Sequence, residues 1–558
     1  MVKKAKVLIA IFSQAKYLFL YALLIFTLLL FRNPFSQRTL IPNLEPYPDT
    51  IHYLTPARSL VMGGPFRIIR EGRIANPGVS PLYSIVVLPF YLINTDVRMF
   101  YFANIFLSLV SLILFYLILR RISGNRWVVG FTLFLYVTNF FIYWYPQWAM
   151  AENLVQPIYL LGLLLLLTKV NTRNLLLAGF VSVSLYATKY ANIPITVTYC
   201  LLYLGKIIWE SRGKIFLVKR LGVYILCLFT FMSCLILYTS SINGPNPFLI
   251  VLRLIRGFFS QGSVTGALSA GQATGSWISF SYFKVDFPQY VYALIGKSAR
   301  FLWDFTPMVP VWVGIVGLSG LVMGCFVPRE TRYLSLSMIV LLSSEIIFMS
   351  TFYAVDMRYI SFAIPTLLLG FAIFMSNLGV LLSKKKAHFV FILIIFASFG
   401  YYFFTNAIRI KSQIVINIKY AETPWYYISV LKLNDYFTKD KFLGDKIPYV
   451  ISPMPPYYID FYSNGNYRLL PLSTAQEFRN GMETVWGNYD YSDLPIVYRG
   501  LLQKGEKLYV STYGLGNEAY LHAAFENLYK DFKLTEVQNE CYTQCKIYKL
   551  ELKNGKSI

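Results

Sequence analysis

Charge is scarce in this 558-residue chain, in which only 14% of residues are Asp, Glu, Lys or Arg. Soluble domains average about 25%. With 56% hydrophobic residues and a mean hydropathy of +0.52, an ordinary soluble protein is excluded. Acidic residues are the scarcer sign, 27 against 51 Lys and Arg. The six cysteines show no metal-ligand spacing, which removes a cysteine-based metal site. Four of them sit in or near apolar segments, the usual place for a small buried thiol. Cys541 and Cys545 lie in the polar tail and can pair only in an oxidising compartment. A phosphate-cradling glycine loop is also missing, because "GQATGS" (271–276) lacks the Lys and the strand–helix setting of a nucleotide site. There is no internal repeat and no low-complexity tract. No cleavable signal is evident, since the first apolar segment lacks a small-residue cleavage site and is expected to be retained.

What the chain does have is a series of apolar runs near the length needed to cross a bilayer. They fall near residues 17–31, 98–119, 126–146, 152–168, 174–190, 191–205, 219–240, 305–327, 333–352, 358–382 and 387–406. The expected fold is a polytopic α-helical membrane protein of about eleven spans. The 45 Phe and 44 Tyr suit aromatic anchors at the interfaces. Segment 80–93, "SPLYSIVVLPFYLI", reads as a juxtamembrane or re-entrant helix. Only then do the basic connections alternate cleanly: Lys3 to Lys16, Arg120 to Arg126, Lys169 and Arg173, Lys206 to Arg220, Arg329 and Arg332, Lys384 to Lys386. These six regions hold 19 basic residues and two acidic ones, Glu210 and Glu330. Cytoplasmic loops collect Lys and Arg. The N-terminus is therefore placed inside, and the chain from 407 onward outside, the plasma membrane of a prokaryote.

Residues 1–406 carry 33 basic and 11 acidic residues, whereas residues 407–558 carry 18 and 16. The basic excess thus belongs to the membrane part, where it serves orientation and contact with membrane lipids. No nucleic-acid partner is expected. Two long loops, 32–97 and 241–304, fall on the external face, and they too are basic. Long loops obey the charge rule weakly, so their arginines either reflect simple tolerance or meet anionic head groups. The tail, 407–558, has strand-like stretches, "KIPYVISPMPPYYIDFY", "GEKLYVSTYGLG" and "FKLTEVQNECYTQCKIYKLEL", and helical ones, "TAQEFRNGMETVW" and "NEAYLHAAFENLYKDF". It is expected to be a small α/β domain on the external face.

The loop "EPYPDTIHYLTPARSL" follows directly on the first span. Asp49 sits there between proline-stiffened backbone, at the depth where a lipid head group meets water. A general base needs such a fixed position, although an ordinary solvated loop Asp fits the spacing as well. Glu152 opens a later span, where the helix macrodipole alone also favours an acid. Lys189 ends an otherwise apolar span, where an ionisable group is costly and usually functional. Arg358 opens another with Tyr359 beside it, and its guanidinium fork suits phosphate oxygens. Arg58 shares the Asp49 loop. Arg253, Arg256 and Arg300 are further external cations. Glu345 lies inside a span toward its outer half, where it either lines a cavity or bonds locally.

Several of these short motifs, taken in order, resemble the membrane-embedded GT-C glycosyltransferases, which include the protein O-mannosyltransferases and aminoarabinose transferases. The matching features are Asp49, Tyr53, Gly63-Gly64, Asn76-Pro77-Gly78 and Pro81/Tyr83 in the first external loop. "AEN" at Glu152, "ATKY" at Lys189-Tyr190 and "MRYISFAIP" at Arg358-Tyr359 follow in the same order. The resemblance implies a polyprenyl-phosphate-sugar donor and inverting transfer to a lipid, glycan or protein acceptor. In that picture Asp49 is the catalytic base and Glu152 orients the acceptor or a metal. Lys189, Arg358, Tyr359, Arg58 and Tyr53 bind the donor. Many relatives carry an acidic pair where this chain has Asp49-Thr50, so a divalent metal does not come across with the resemblance. His52 and Glu152 are its only candidate ligands, and no other cofactor is implied. A flippase or transporter of lipid-linked sugars, or a polysaccharide polymerase or ligase, are the alternatives. A transporter would show a midplane polar site and internal symmetry, whereas the ionisable residues here gather at one end.

Overall fold

The computed structural model describes residues 18–29, 49–61, 68–70, 73–75, 80–211, 213–241, 309, 311–327, 329–350, 357–381, 400–415, 433, 436–437, 447–453, 467–473, 494–512, 515, 519–539 and 546–553. The loop 241–304 with its three arginines, the N-terminal lysines, the segment 387–399 and the Cys541/Cys545 pair lie outside the described residues, apart from Ser241. Helices dominate. They are α1 (Leu18–Leu29), α2 (Asp49–Val61), α3 (Leu82–Ile93), α4 (Phe100–Ile122), α5 (Arg126–Val137), α6 (Phe140–Trp144), α7 (Glu152–Leu167), α8 (Thr172–Thr188), α9 (Ile193–Glu210) and α10 (Lys214–Ser241). There follow α11 (Val311–Gly324), α12 (Arg329–Ser350), α13 (Ala363–Leu381) and a helix over residues 400–415. That last helix runs through residue 406, where the sequence suggested the membrane part would end.

Four stretches among the described residues are long and apolar enough to cross a membrane: Phe100–Ile122, Tyr190–Glu210, Lys214–Ser241 and Thr331–Phe348. A fifth forms if α5 and the bent stretch after it, Phe140–Gln147, count as one broken span with a 54° bend. Five shorter apolar helices accompany them, among them the 80–93 segment as α3. Large apolar side chains stay exposed along α10, where Phe229 is 73% and Leu237 69% accessible. In water such a face would be a liability; against hydrocarbon it is the expected surface. This is a membrane protein.

The break between α5 and α6 is specified locally. Asn139 accepts from the amides of Phe141 (2.9 Å) and Ile142 (3.3 Å), capping the new helix. Its amide donates to the Tyr402 hydroxyl at 2.9 Å, and Asn406 accepts from the Phe140 amide at 2.8 Å. The freed backbone groups are thus satisfied by side chains, as hydrocarbon surroundings demand. Elsewhere α11 and α13 touch backbone to backbone through small residues. A Cβ built on Gly320 would stand 1.9 Å from the Gly370 carbonyl oxygen, and one on Gly317 would stand 2.5 Å from that of Leu367. Neither backbone can yield cheaply. Gly320→Val is expected to destabilise by about 3 kcal/mol or more, at the upper end of overpacking costs, seen as a lowered thermal midpoint in detergent.

The tail contributes a five-stranded mixed sheet of order β4-β3-β5-β7-β6. Its strands are β3 (Tyr449–Ser452), β4 (Arg468–Pro471), β5 (Leu508–Ser511), β6 (Phe532–Asn539) and β7 (Lys546–Leu552); β1 (Ile68–Arg70) and β2 (Arg73–Ala75) form a separate antiparallel hairpin. β3 pairs in parallel with β4 and β5, while β7 runs antiparallel to β5 and β6. The period of two sorts the strand residues cleanly. Tyr449, Ile451, Leu470, Leu508, Val510 and Leu550 face the helices Leu494–Gln503 and Ala519–Asp531. Val450, Leu469, Tyr509 and Ile547 turn to the other side, where Phe437 and Tyr467 pack. The anticipated strands "YVIS" and "KLYVS", the β6–β7 pair and the 519–531 helix are all present. β4, the helix Leu494–Gln503 and the β1–β2 hairpin were not anticipated. The helix expected over "TAQEFRNGMETVW" lies outside the described residues.

Candidate functional site

The residues singled out in the sequence sit where helices begin and end. Glu152 is the first residue of α7, and Lys189 follows the last residue of α8, in extended backbone. A 3-10 turn, Tyr190–Asn192, then leads to Pro194 near the start of α9. Arg358 and Tyr359 occupy another 3-10 turn, Met357–Ile360, just ahead of α13. Proline fits such a first turn because its missing N–H has no intrahelical acceptor there. Four separate helix ends thereby converge.

At their meeting point the Lys189 ammonium is ion-paired with the Glu152 carboxylate. Both side chains are secluded, with 11% and 4% of their surfaces accessible. The same ammonium lies 3.9 Å from the centre of the Tyr359 ring, a cation–π contact. The Arg358 guanidinium is 5.3 Å from that ring and within electrostatic range of Glu152. Glu152 also stands at the N-terminus of α7, where the helix dipole adds to its stabilisation. The cluster therefore joins an anion to two cations, one of them already committed to that anion.

A hydrogen-bonded frame ties this cluster to the first loop. Asn104, a fully buried amide in α4, donates to the Pro146 and Trp148 carbonyls at 3.0 and 2.8 Å. Asn153, next to Glu152, donates to the same Trp148 carbonyl at 2.8 Å. The Tyr83 hydroxyl donates to Asn104 Oδ1 at 2.8 Å and is within electrostatic range of Glu152. Tyr83 in turn meets the Tyr53 ring edge to face at 5.7 Å, and the Ser84 hydroxyl donates to the Tyr53 carbonyl at 2.5 Å. Buried networks of this kind hold geometry as long as every member is satisfied. Sequence reasoning missed Asn104, although a lone Asn inside an apolar run is itself a signal.

Asp49 is the first residue of α2, so the segment read as a loop is in fact helical from that point. Helix pitch puts position 49 one turn before Tyr53 and on about the same face. Nothing is described of the Asp49 or His52 side chains. Arg58 lies within electrostatic range of Tyr91 and Asp96, at the far end of α3. Burial pushes the Asp96 carboxyl up, but hydrogen bonds from the Arg98 side chain and amide outweigh it, and its pKa falls below the usual carboxylate value. Of the expected donor-binding residues, then, Lys189, Arg358 and Tyr359 come together, Tyr53 reaches them through Tyr83, and Arg58 lies toward Tyr91 and Asp96.

A metal at Glu152 fits poorly, because the Lys189 ammonium already occupies the place a cation would take. Among the described residues no three His, Cys, Asp or Glu side chains are grouped as metal ligands would be.

The sequence matches no protein-family profile and no curated protein. Comparison of structures finds ArnT from Cupriavidus metallidurans bound to undecaprenyl phosphate, at 12% identity and a TM-score of 0.58, covering 96% of this chain and 97% of that one. The apo form of the same transferase aligns with the same TM-score at 13% identity, covering 96% and 98%. An Archaeoglobus fulgidus oligosaccharyltransferase in the apo form aligns at 10% identity with a TM-score of 0.48, covering 93% of this chain and 73% of that one. At 12% identity the likeness to ArnT is one of fold alone.

Proposed function

We propose that the protein is a glycosyltransferase of the GT-C type, which transfers a sugar from a polyprenyl-phosphate-linked donor to an acceptor on the external membrane face. Buried among helix ends, the cluster of Lys189, Arg358 and Tyr359 around Glu152 carries the reading, because it offers cations to an anionic head group at one end of apolar helices. The ArnT structure that shares the fold holds a polyprenyl phosphate, which supports that choice of head group. Arg358 and Lys189 grip the phosphate, and Tyr359 holds Lys189 in place from below. The acceptor oxygen attacks the anomeric carbon from the face opposite the phosphate, the bond from that carbon to the phosphate oxygen breaks, and configuration inverts. Asp49 takes the acceptor proton, and the lipid phosphate leaves with the bonding electrons. Glu152 orients the acceptor hydroxyl. The acceptor is a lipid, a glycan or a protein.

The layout that goes with this function has about eleven crossings of the bilayer, the N-terminus in the cytoplasm and residues 407–558 outside. On that external face, the tail is suited to acceptor selection.

The test is direct. Purified protein given a polyprenyl-phosphate-sugar and an extract of candidate acceptors should release polyprenyl phosphate in step with new glycoside. Counterflow of intact lipid-linked sugar across a vesicle membrane, with no bond cleaved, would replace the transferase with a transporter. In a separate experiment, Glu152→Gln is expected to raise the acceptor KM and lower kcat by roughly tenfold, the scale of one lost hydrogen bond to a charged group, with donor KM unchanged or lower. An unchanged acceptor KM would remove Glu152 from acceptor binding.

A further inference from the structure

Glu345 is fully buried in α12, within a stretch apolar enough to cross a membrane. Neither of its carboxyl oxygens makes a well-formed hydrogen bond. The groups that face it are the Lys189 ammonium and the Ile195 amide in the first turn of α9. An ionisable side chain at such a place is costly and is usually kept for a use. α12 packs against α7, α9 and the Met357–Ile360 turn. α7 carries Glu152, α9 follows directly on the turn after Lys189, and the Met357–Ile360 turn carries Arg358 with Tyr359. The Lys189 ammonium therefore interacts with two carboxyl groups. It is paired with Glu152, and within electrostatic range of Glu345 without being paired to it. Each carboxyl group lies at the N-terminal end of a helix, α7 for one and α9 for the other, where a negative charge is favoured.

A Glu152 held by Lys189 has an oxygen occupied that an acceptor hydroxyl would need. The geometry points to Glu345 as a second seat for Lys189. When an acceptor engages Glu152, the ammonium swings on its flexible four-carbon stem to Glu345, staying over the Tyr359 ring and at the depth of the donor phosphate. Glu345 is thus a positioning residue that acts through Lys189 and Glu152. No covalent bond changes in the step. The purpose of the move rests on the transferase reading, whereas the coupling of Lys189 to Glu345 does not.

Glu345→Leu tests this in the full-length protein reconstituted in lipid nanodiscs. Replacing a buried carboxyl by an apolar side chain of similar volume leaves folding intact or improves it, so a loss of function is not a loss of fold. The expected result is a kcat lower by about tenfold or more with the donor KM little changed, the pattern of an interaction used during turnover. Glu345→Gln should restore most of the rate, since its amide oxygen still accepts from an ammonium. In a Lys189→Met background, Glu345→Leu should cost nothing more. A double-mutant cycle of the same two substitutions, read as thermal midpoints without substrate, should be non-additive. A Glu345→Leu protein with the wild-type kcat overturns the second seat, whatever the cycle gives. Should the wild-type protein transfer no sugar, the reaction itself is refuted and the cycle alone decides the coupling: additive midpoints overturn it and non-additive ones uphold it.

Discussion

Asp49→Asn is expected to stop sugar transfer while leaving donor binding close to wild type. Removing a positioned general base costs about 10²- to 10⁴-fold in rate, and an amide of the same shape cannot take the acceptor proton. The structural argument runs through the backbone. Residue 49 opens α2, and Tyr53, one turn further along, is fixed against Tyr83, which bonds Asn104 and thereby reaches the loop that presents Glu152. Kinetics of lipid-phosphate release at saturating donor give the rate, and a filter assay with labelled donor gives the affinity. A rate within a few-fold of wild type would remove Asp49 as the base. A parallel loss of donor binding would make it a ligand for the donor instead.

Lys189→Met should produce the second large effect, on stability and affinity together. It leaves Glu152, 5% exposed, without its ion-pair partner, and breaking one side of a buried pair typically costs about 3–5 kcal/mol. A lower thermal midpoint follows, with donor affinity reduced by roughly tenfold or more, the worth of one charge-assisted hydrogen bond. Adding Glu152→Gln should recover most of the stability, because the stranded charge is then gone, but not the donor affinity. Recovery of both would mean that Lys189 serves only to neutralise Glu152.

Much of this cluster was legible in the sequence as separate residues. An acid opening a span, a lysine closing one and an Arg-Tyr pair opening another each stood out because ionisable groups in apolar surroundings are expensive. Their pairing was not legible. Glu152 and Lys189 are 37 residues apart, and only the antiparallel packing of α7 on α8 makes their ends meet. Arg58 is a different case. Read as part of a loop, it could be aimed anywhere; once α2 is a helix, nine residues from Asp49 turn it to about the opposite face, toward Asp96. The strands of the tail were found from β-branched and aromatic residues set between turn residues. β4, "RLLP", was missed because it holds no β-branched or aromatic residue and ends in a proline. The frame built by Asn104, Asn139 and Asn153 left almost no pattern in the sequence, since each amide finds its partners only through the fold.

The central claim is that cations at these converging helix ends hold the phosphate of a polyprenyl lipid. Arg358→Gln isolates it, because Arg358 can be changed while the Lys189–Glu152 pair stays intact. Binding of polyprenyl phosphate alone, followed by ³¹P resonance in nanodiscs, should be weakened by roughly tenfold or more in a variant whose thermal midpoint is near that of the wild type. An affinity equal to that of the wild-type protein would contradict the account.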